Sequence, residues 1–122
     1  MSRNSVGWFE IYVDDMERAR GFYESVFKVT LEKLPIDVEM LTFPMNEEAP
    51  GSSGALVHMP GFPAGNNSVL VYFTCEDCAT EESRVEGAGG RIEKTKFSIG
   101  PYGFISLVYD TEGNMIGLHS MA

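Results

Sequence analysis

The chain has 122 residues, 18 acidic side chains against nine lysines and arginines, and a formal net charge of −9. That balance repels phosphate, so nucleic acid and anionic membrane surfaces are excluded as partners, whereas a small molecule in a local pocket is not. Apolar residues make up 43%, with eight Phe, five Tyr and seven Met, which suffices for a packed core and argues against disorder.

Residues 7–13 alternate as a strand, with Trp8, Glu10 and Tyr12 on one face and Phe9, Ile11 and Val13 on the other. Asp14 or Asp15 caps the helix that follows, and Asp14 and Glu17 have capping-box spacing. Met16, Ala19, Phe22, Tyr23 and Val26 form one apolar stripe on that helix. Three strands follow at 29–34, 38–43 and 54–59, the first two ended by Pro35 and Pro44. Residues 45–53 are a loop, and 60–67 form a Pro-, Gly- and Asn-rich connection.

The second half repeats this order. Residues 68–74 read as a strand, Asp77 caps a helix from 78 to 87, and Gly89-Gly90 stops it. Strands follow at 91–96, 104–109 and 114–120, the last two joined by the hairpin turn Asp110-Thr111-Glu112-Gly113. The repetition predicts one domain over 1–122, with a first module at about 5–59, a linker at 60–67 and a second module at about 68–120. No apolar run spans a bilayer, and the first five residues lack a secretory leader's apolar stretch, so a cytoplasmic location is expected. Cys75-Glu76-Asp77-Cys78 has the spacing of a redox dithiol, but two acids between the sulfurs disfavour the thiolate, and reduced thiols are expected.

Three segments carry a family resemblance: Asp14 to Tyr23 with Phe27 behind it, Val85 to Gly90, and Asp110 to Leu118. In this order they resemble the vicinal-oxygen-chelate superfamily of glyoxalase I, bleomycin-resistance proteins and extradiol dioxygenases. The Gly-Ala-Leu-Val strand at 54–57 and the Gly-Leu-His-Ser ending at 117–120 are similar to its glyoxalase-related predicted enzymes. The resemblance implies an α+β fold of paired βαβββ modules, whose mixed sheets curl around a cup. It also implies homodimers, paired side by side or by exchange of modules.

In metal-bearing members four side chains hold a divalent ion, one from the first and one from the last strand of each module. Carried onto this chain, those positions fall on Trp8, Leu70, Gly117 and, less sharply in register, Val57 or a neighbour. None of these coordinates a metal, so no cofactor is expected and lactoylglutathione lyase activity is not expected either. Glu10, His58 and His119 remain an alternative donor set for a divalent metal.

Strand alternation turns Trp8, Glu10 and Tyr12 towards the cup, with Leu70, Tyr72 and Thr74 opposite and Phe104, Ser106 and Val108 beside them. A carboxylate among these rings is expected to be partly desolvated, which makes Glu10 a candidate general base and His119 a second candidate. Two functions follow. One is a metal-free protein that binds a small, partly apolar molecule. The other is a lyase or isomerase that uses Glu10 as proton acceptor. Gly100 and Gly103 around Pro101-Tyr102 predict a hairpin or lip over the cup.

Overall fold

A computed structural model describes residue 4 and residues 6–122. The expected start of the first module at residue 5 lies outside the described residues. Two four-stranded mixed sheets each carry one helix. The first sheet contains β1 (Phe9–Tyr12), β2 (Glu32–Lys33), β3 (Glu39–Thr42) and β4 (Gly54–His58) in the order β1-β4-β3-β2, with helix α1 (Met16–Phe27) following β1. The second contains β5 (Tyr72–Thr74), β6 (Arg91–Ser98), β7 (Phe104–Tyr109) and β8 (Met115–Ser120) in the order β5-β8-β7-β6, with α2 (Cys78–Val85) following β5. β1 runs parallel to β4 and β5 parallel to β8, and the other pairings are antiparallel. The sheets do not close on one another, and the α+β fold of paired βαβββ modules is the one the sequence implies.

The helix-facing sides of both sheets share one core. Met16, Ala19, Phe22, Tyr23 and Val26 of α1 are all buried there, as their spacing predicts. Ile11, Leu41, Leu56, Val108, Ile116 and Leu118 meet them from the sheets, and Cys78 and Val85 from α2. Phe73 bridges the halves, stacked on Phe27 at 4.5 Å between centroids and edge-on to Phe9 at 5.9 Å. Burial of large rings dominates such a core, and face-offset and edge contacts add to it.

Several boundaries differ from the sequence reading. Of the two expected caps it is Asp15 that holds α1, its carboxylate accepting from the Arg18 amide at 3.1 Å. Asp14 is free for another task, accepting from the amide of Ala64 in the linker. The expected strand at 29–34 shrinks to two residues, because β2 pairs only with β3 through Glu32 and Lys33. The second half's first strand begins only at Tyr72, although the Val71 carbonyl already accepts from the Gly117 amide of β8 at 2.9 Å.

A polar clamp joins the halves at the end of the last hairpin. The Glu112 carboxylate accepts from the amides of Asp14 and Asp15 and from the Arg18 guanidinium at 2.7 and 2.9 Å. It sits at the N-terminus of α1, where the helix leaves its first amides without partners and favours negative charge. Burial pushes Glu112 up, but hydrogen bonds from Arg18, the Asp15 amide and the Thr111 hydroxyl, with the charge of Arg18, outweigh it and draw the carboxyl down to about 2. Asp110 accepts from the Tyr23 hydroxyl at 2.7 Å, and Asn114 donates to the Tyr12 carbonyl, so one turn of the second half grips three places in the first.

Candidate functional site

Opposite the helices, each sheet presents a second face. On β1 it carries Glu10 and Tyr12, which lie across from Ala55 and Val57 of β4. On β5 it carries Tyr72 and Thr74, across from Gly117 and His119 of β8. Leu70 precedes β5 and is half-buried. The two faces correspond residue for residue, so Ala55 stands in the first sheet where Gly117 stands in the second. The expected fourth metal position is therefore Ala55, two residues before Val57. Trp8, Ala55, Leu70 and Gly117 offer no metal-binding atom in their side chains.

The alternative donor set is not assembled either. His58 pairs with Glu39 at 3.1 Å across β3 and β4. Glu39 shares its side of β3 with Leu41, which belongs to the helix-side core, so His58 points away from Glu10. His119 Nε2 lies 2.7 Å from the Tyr102 carbonyl and ties β8 to the lip formed by the 3-10 turn Gly100–Tyr102. Among the described residues no group of three His, Cys, Asp or Glu side chains is placed to hold an ion.

Phe104 and Ser106 also fall elsewhere than alternation from the lip suggests. Val108 belongs to the helix-side core, and Phe104 packs against it. Ser106 is fully buried on the same side, its hydroxyl donating to the Lys94 carbonyl at 3.2 Å. The residues of β7 turned towards Thr74 and His119 are Ile105, Leu107 and Tyr109. β7 thus lies one residue out of the expected alternation, because both of its faces are largely apolar and alternation alone gives no sign of which is inward.

What the face does assemble is a carboxylate between two rings. Trp8 Nε1 donates to Glu10 Oε2 at 3.2 Å, and the Tyr12 hydroxyl donates to Glu10 Oε1 at 2.9 Å. Period-two alternation brings the three side chains to one side of β1, and the flanking donors hold the carboxylate between them. The hydrogen bond to Glu10 also raises the Tyr12 hydroxyl above the usual tyrosine value. Glu10 is exposed, so the desolvation expected of it is absent. Phe62 of the linker stacks on Tyr12 at 5.5 Å, a contact that sequence reasoning missed because nothing in a Pro-Gly-Phe-Pro loop marks where its ring lands.

The linker itself is pinned. The Gly65 amide donates to Asn114 Oδ1 at 2.7 Å, and the Asn67 side chain bonds both the amide and the carbonyl of Met115. Beneath it lies a recess of about 210 Å³ at the seam between the halves, bordered by Glu10, Tyr12, Val69, Val71, Asn114 and Met115. Large rings outside the recess remain uncovered: Trp8 is 39% exposed, Tyr72 47% and Phe62 54%. No helix among the described residues is long and apolar enough to cross a membrane.

Residues 5–118 match the model of the Glyoxalase/Bleomycin resistance protein/Dioxygenase superfamily, and the chain belongs to that family. Among solved structures it is similar to TnmS3, an antibiotic binding protein from Streptomyces sp. CB03234, with 25% identity, TM-score 0.72, and coverage of 100% of this chain and 99% of that one. A glyoxalase-related enzyme from Fulvimarina pelagi shares the fold at 18% identity and TM-score 0.74, covering 96% of this chain and 88% of that one. A mutant glyoxalase I from Zea mays does so at 19% identity and TM-score 0.71, with 94% of this chain matching 46% of the longer maize protein. No curated protein matches the chain.

Proposed function

We propose that this chain is a cytoplasmic small-molecule-binding protein of its family, which holds a partly apolar ligand against Trp8, Glu10, Tyr12 and Tyr72 without a metal ion. One observation carries the reading. The positions where metal-bearing members place their ligands are occupied here by two apolar side chains, an alanine and a glycine, and aromatic rings stand on the same face. The Tyr72 ring lies directly over Gly117, where a Cβ would overlap it, so an aromatic ring stands where metal-bearing members carry their last ligand. An exposed apolar surface with a few oriented polar groups is the usual make-up of a ligand site. The similarity to an antibiotic binding protein over the full length supports binding over turnover.

The recess of about 210 Å³ is smaller than the few hundred cubic ångströms that enclose a drug-sized ligand. A second copy of the chain completes the enclosure in this reading, with Leu70 and Thr74 contributing to the wall and His119 holding the lip. Sedimentation should then give twice the 13.5 kDa chain mass.

The test is a thermal-shift and calorimetric screen of small aromatic compounds, run in EDTA and again with Ni²⁺, Zn²⁺ or Mn²⁺. Saturable binding in EDTA, unchanged by metal, is the expected result. Binding or turnover that appears only after a metal is added would overturn the reading.

A further inference from the structure

The carboxylate on β1 has an unusual set of partners, and they restrict what can occupy the space in front of it. The Trp8 ring N–H and the Tyr12 hydroxyl are both committed to Glu10, at 3.2 and 2.9 Å. Their hydrogen-bond donors are thereby spent. What Trp8 and Tyr12 still offer is the negative faces of their rings, and what Glu10 offers is its remaining lone pairs. Each of these attracts positive charge. No lysine or arginine forms an ion pair with Glu10 among the described residues. Glu10 stands exposed beside two part-exposed rings, Trp8 and Phe62, and the chain around it carries a net charge of −9. A neutral apolar ligand would use the rings and leave the carboxylate partly dehydrated. An anionic ligand would meet repulsion with no cation to offset it.

We infer that the ligand of this face is a planar aromatic cation, its positive charge over Glu10 and its ring between Trp8 and the Tyr12–Phe62 stack. The inference rests on the small-molecule reading above and specifies the ligand's charge and shape. Cation–π attraction to Trp and Tyr and a direct ion pair with Glu10 act on the same charge, so the two gains reinforce one another. The stack of Phe62 on Tyr12, at 5.5 Å and 27° between planes, fixes one wall through the pinned linker. The site is thus ordered before the ligand arrives, which reduces the entropy lost on binding.

Trp8 is the chain's single tryptophan, so its emission reports this site alone. Binding of N-methylquinolinium, uncharged quinoline at neutral pH and 1-naphthoate is measured by calorimetry and by Trp8 emission. N-methylquinolinium should bind saturably and about tenfold more tightly than quinoline. Glu10→Gln should bring the cation down to quinoline's affinity and leave quinoline unchanged. Glu48→Gln, in the acidic loop at 45–53, should alter neither, and circular-dichroism melts confirm that both variants fold. Equal affinity for cation and neutral ring, tightest binding of 1-naphthoate, or an equal loss in Glu48→Gln would each overturn the charge assignment while leaving small-molecule binding intact. If none of the three rings binds, the small-molecule reading fails together with it.

Discussion

Glu112 and Arg18 stand 94 residues apart in sequence and meet in a two-pronged ion pair at the start of α1. The Glu112 side chain is wholly covered, whereas that of Arg18 is 52% exposed. The pair therefore differs from a surface bridge such as Arg20–Glu24, whose loss is expected to cost only about 0.3–0.5 kcal/mol. Glu112→Ala removes the acceptor for two helix-start amides as well as the guanidinium, and leaves those donors without partners. A loss of about 2–3 kcal/mol is expected, read from urea unfolding. A loss below about 0.5 kcal/mol would mean that water replaces the clamp at no cost.

The same carboxylate sets a pH dependence. Its pKa is depressed from 4.5 to about 2 in the fold, so its contribution is present above about 4.5 and is lost as pH falls through about 2. Screening at the half-exposed Arg18 limits that contribution to about 2 kcal/mol. Asp110 opposes it. Burial holds its carboxyl above 3.8, so its contribution is present at low pH and is lost as pH rises through the folded value. The urea midpoint should accordingly fall between pH 5 and 2, and in Glu112→Gln that fall should be nearly absent. Parallel decline of both proteins would assign the acid sensitivity to other groups.

Much of this architecture can be read from residue order, and the reasons for success and failure are physical. The α1 stripe is legible because Met16, Ala19, Phe22, Tyr23 and Val26 recur with the helical period and all five are buried. The Trp8-Glu10-Tyr12 face is legible because its opposite face, Phe9-Ile11-Val13, is wholly apolar. β7 lacks that contrast, so alternation does not reveal that Phe104 and Ser106 face the helices. The Glu112 clamp is invisible for another reason: an acid in a hairpin turn is ordinary, and only tertiary placement against α1 reveals its partners. The contact of Phe62 with Tyr12 likewise depends on where the linker folds, which no local pattern encodes.

Two glycines should respond in opposite ways to the same substitution. At Gly90 a Cβ would meet the Tyr109 carbonyl, the Phe22 ring and Val85, all within or beside the core. Backbone cannot yield there, so Gly90→Ala should destabilise by roughly 2–4 kcal/mol. At Gly117 the obstructing group is the Tyr72 ring, a side chain half in solvent and not backbone. Gly117→Ala should therefore cost under about 1 kcal/mol yet displace Tyr72 and weaken binding of any ligand that stacks on it. The comparison needs one pair of melts and one titration, and equal destabilisation by the two changes would contradict the contact geometry.

The last expectation concerns Cys75 and Cys78, whose spacing suggested dithiol chemistry. Both are free and buried. Burial, reinforced by the neighbouring Glu81 carboxylate, pushes the Cys75 thiol up to about 12. The reactive species is the thiolate, so at mildly alkaline pH Cys75 should react at least a thousandfold more slowly than a free thiol. Cys78 is fully covered at the start of α2, its amide bonded to the Ser120 hydroxyl at 2.9 Å. Ellman's reagent should therefore detect almost no thiol in the native protein and two per chain once urea unfolds it. Rapid native labelling, or a disulfide that forms readily with oxidised glutathione and leaves the melting temperature unchanged, would restore the redox reading that the buried geometry disfavours.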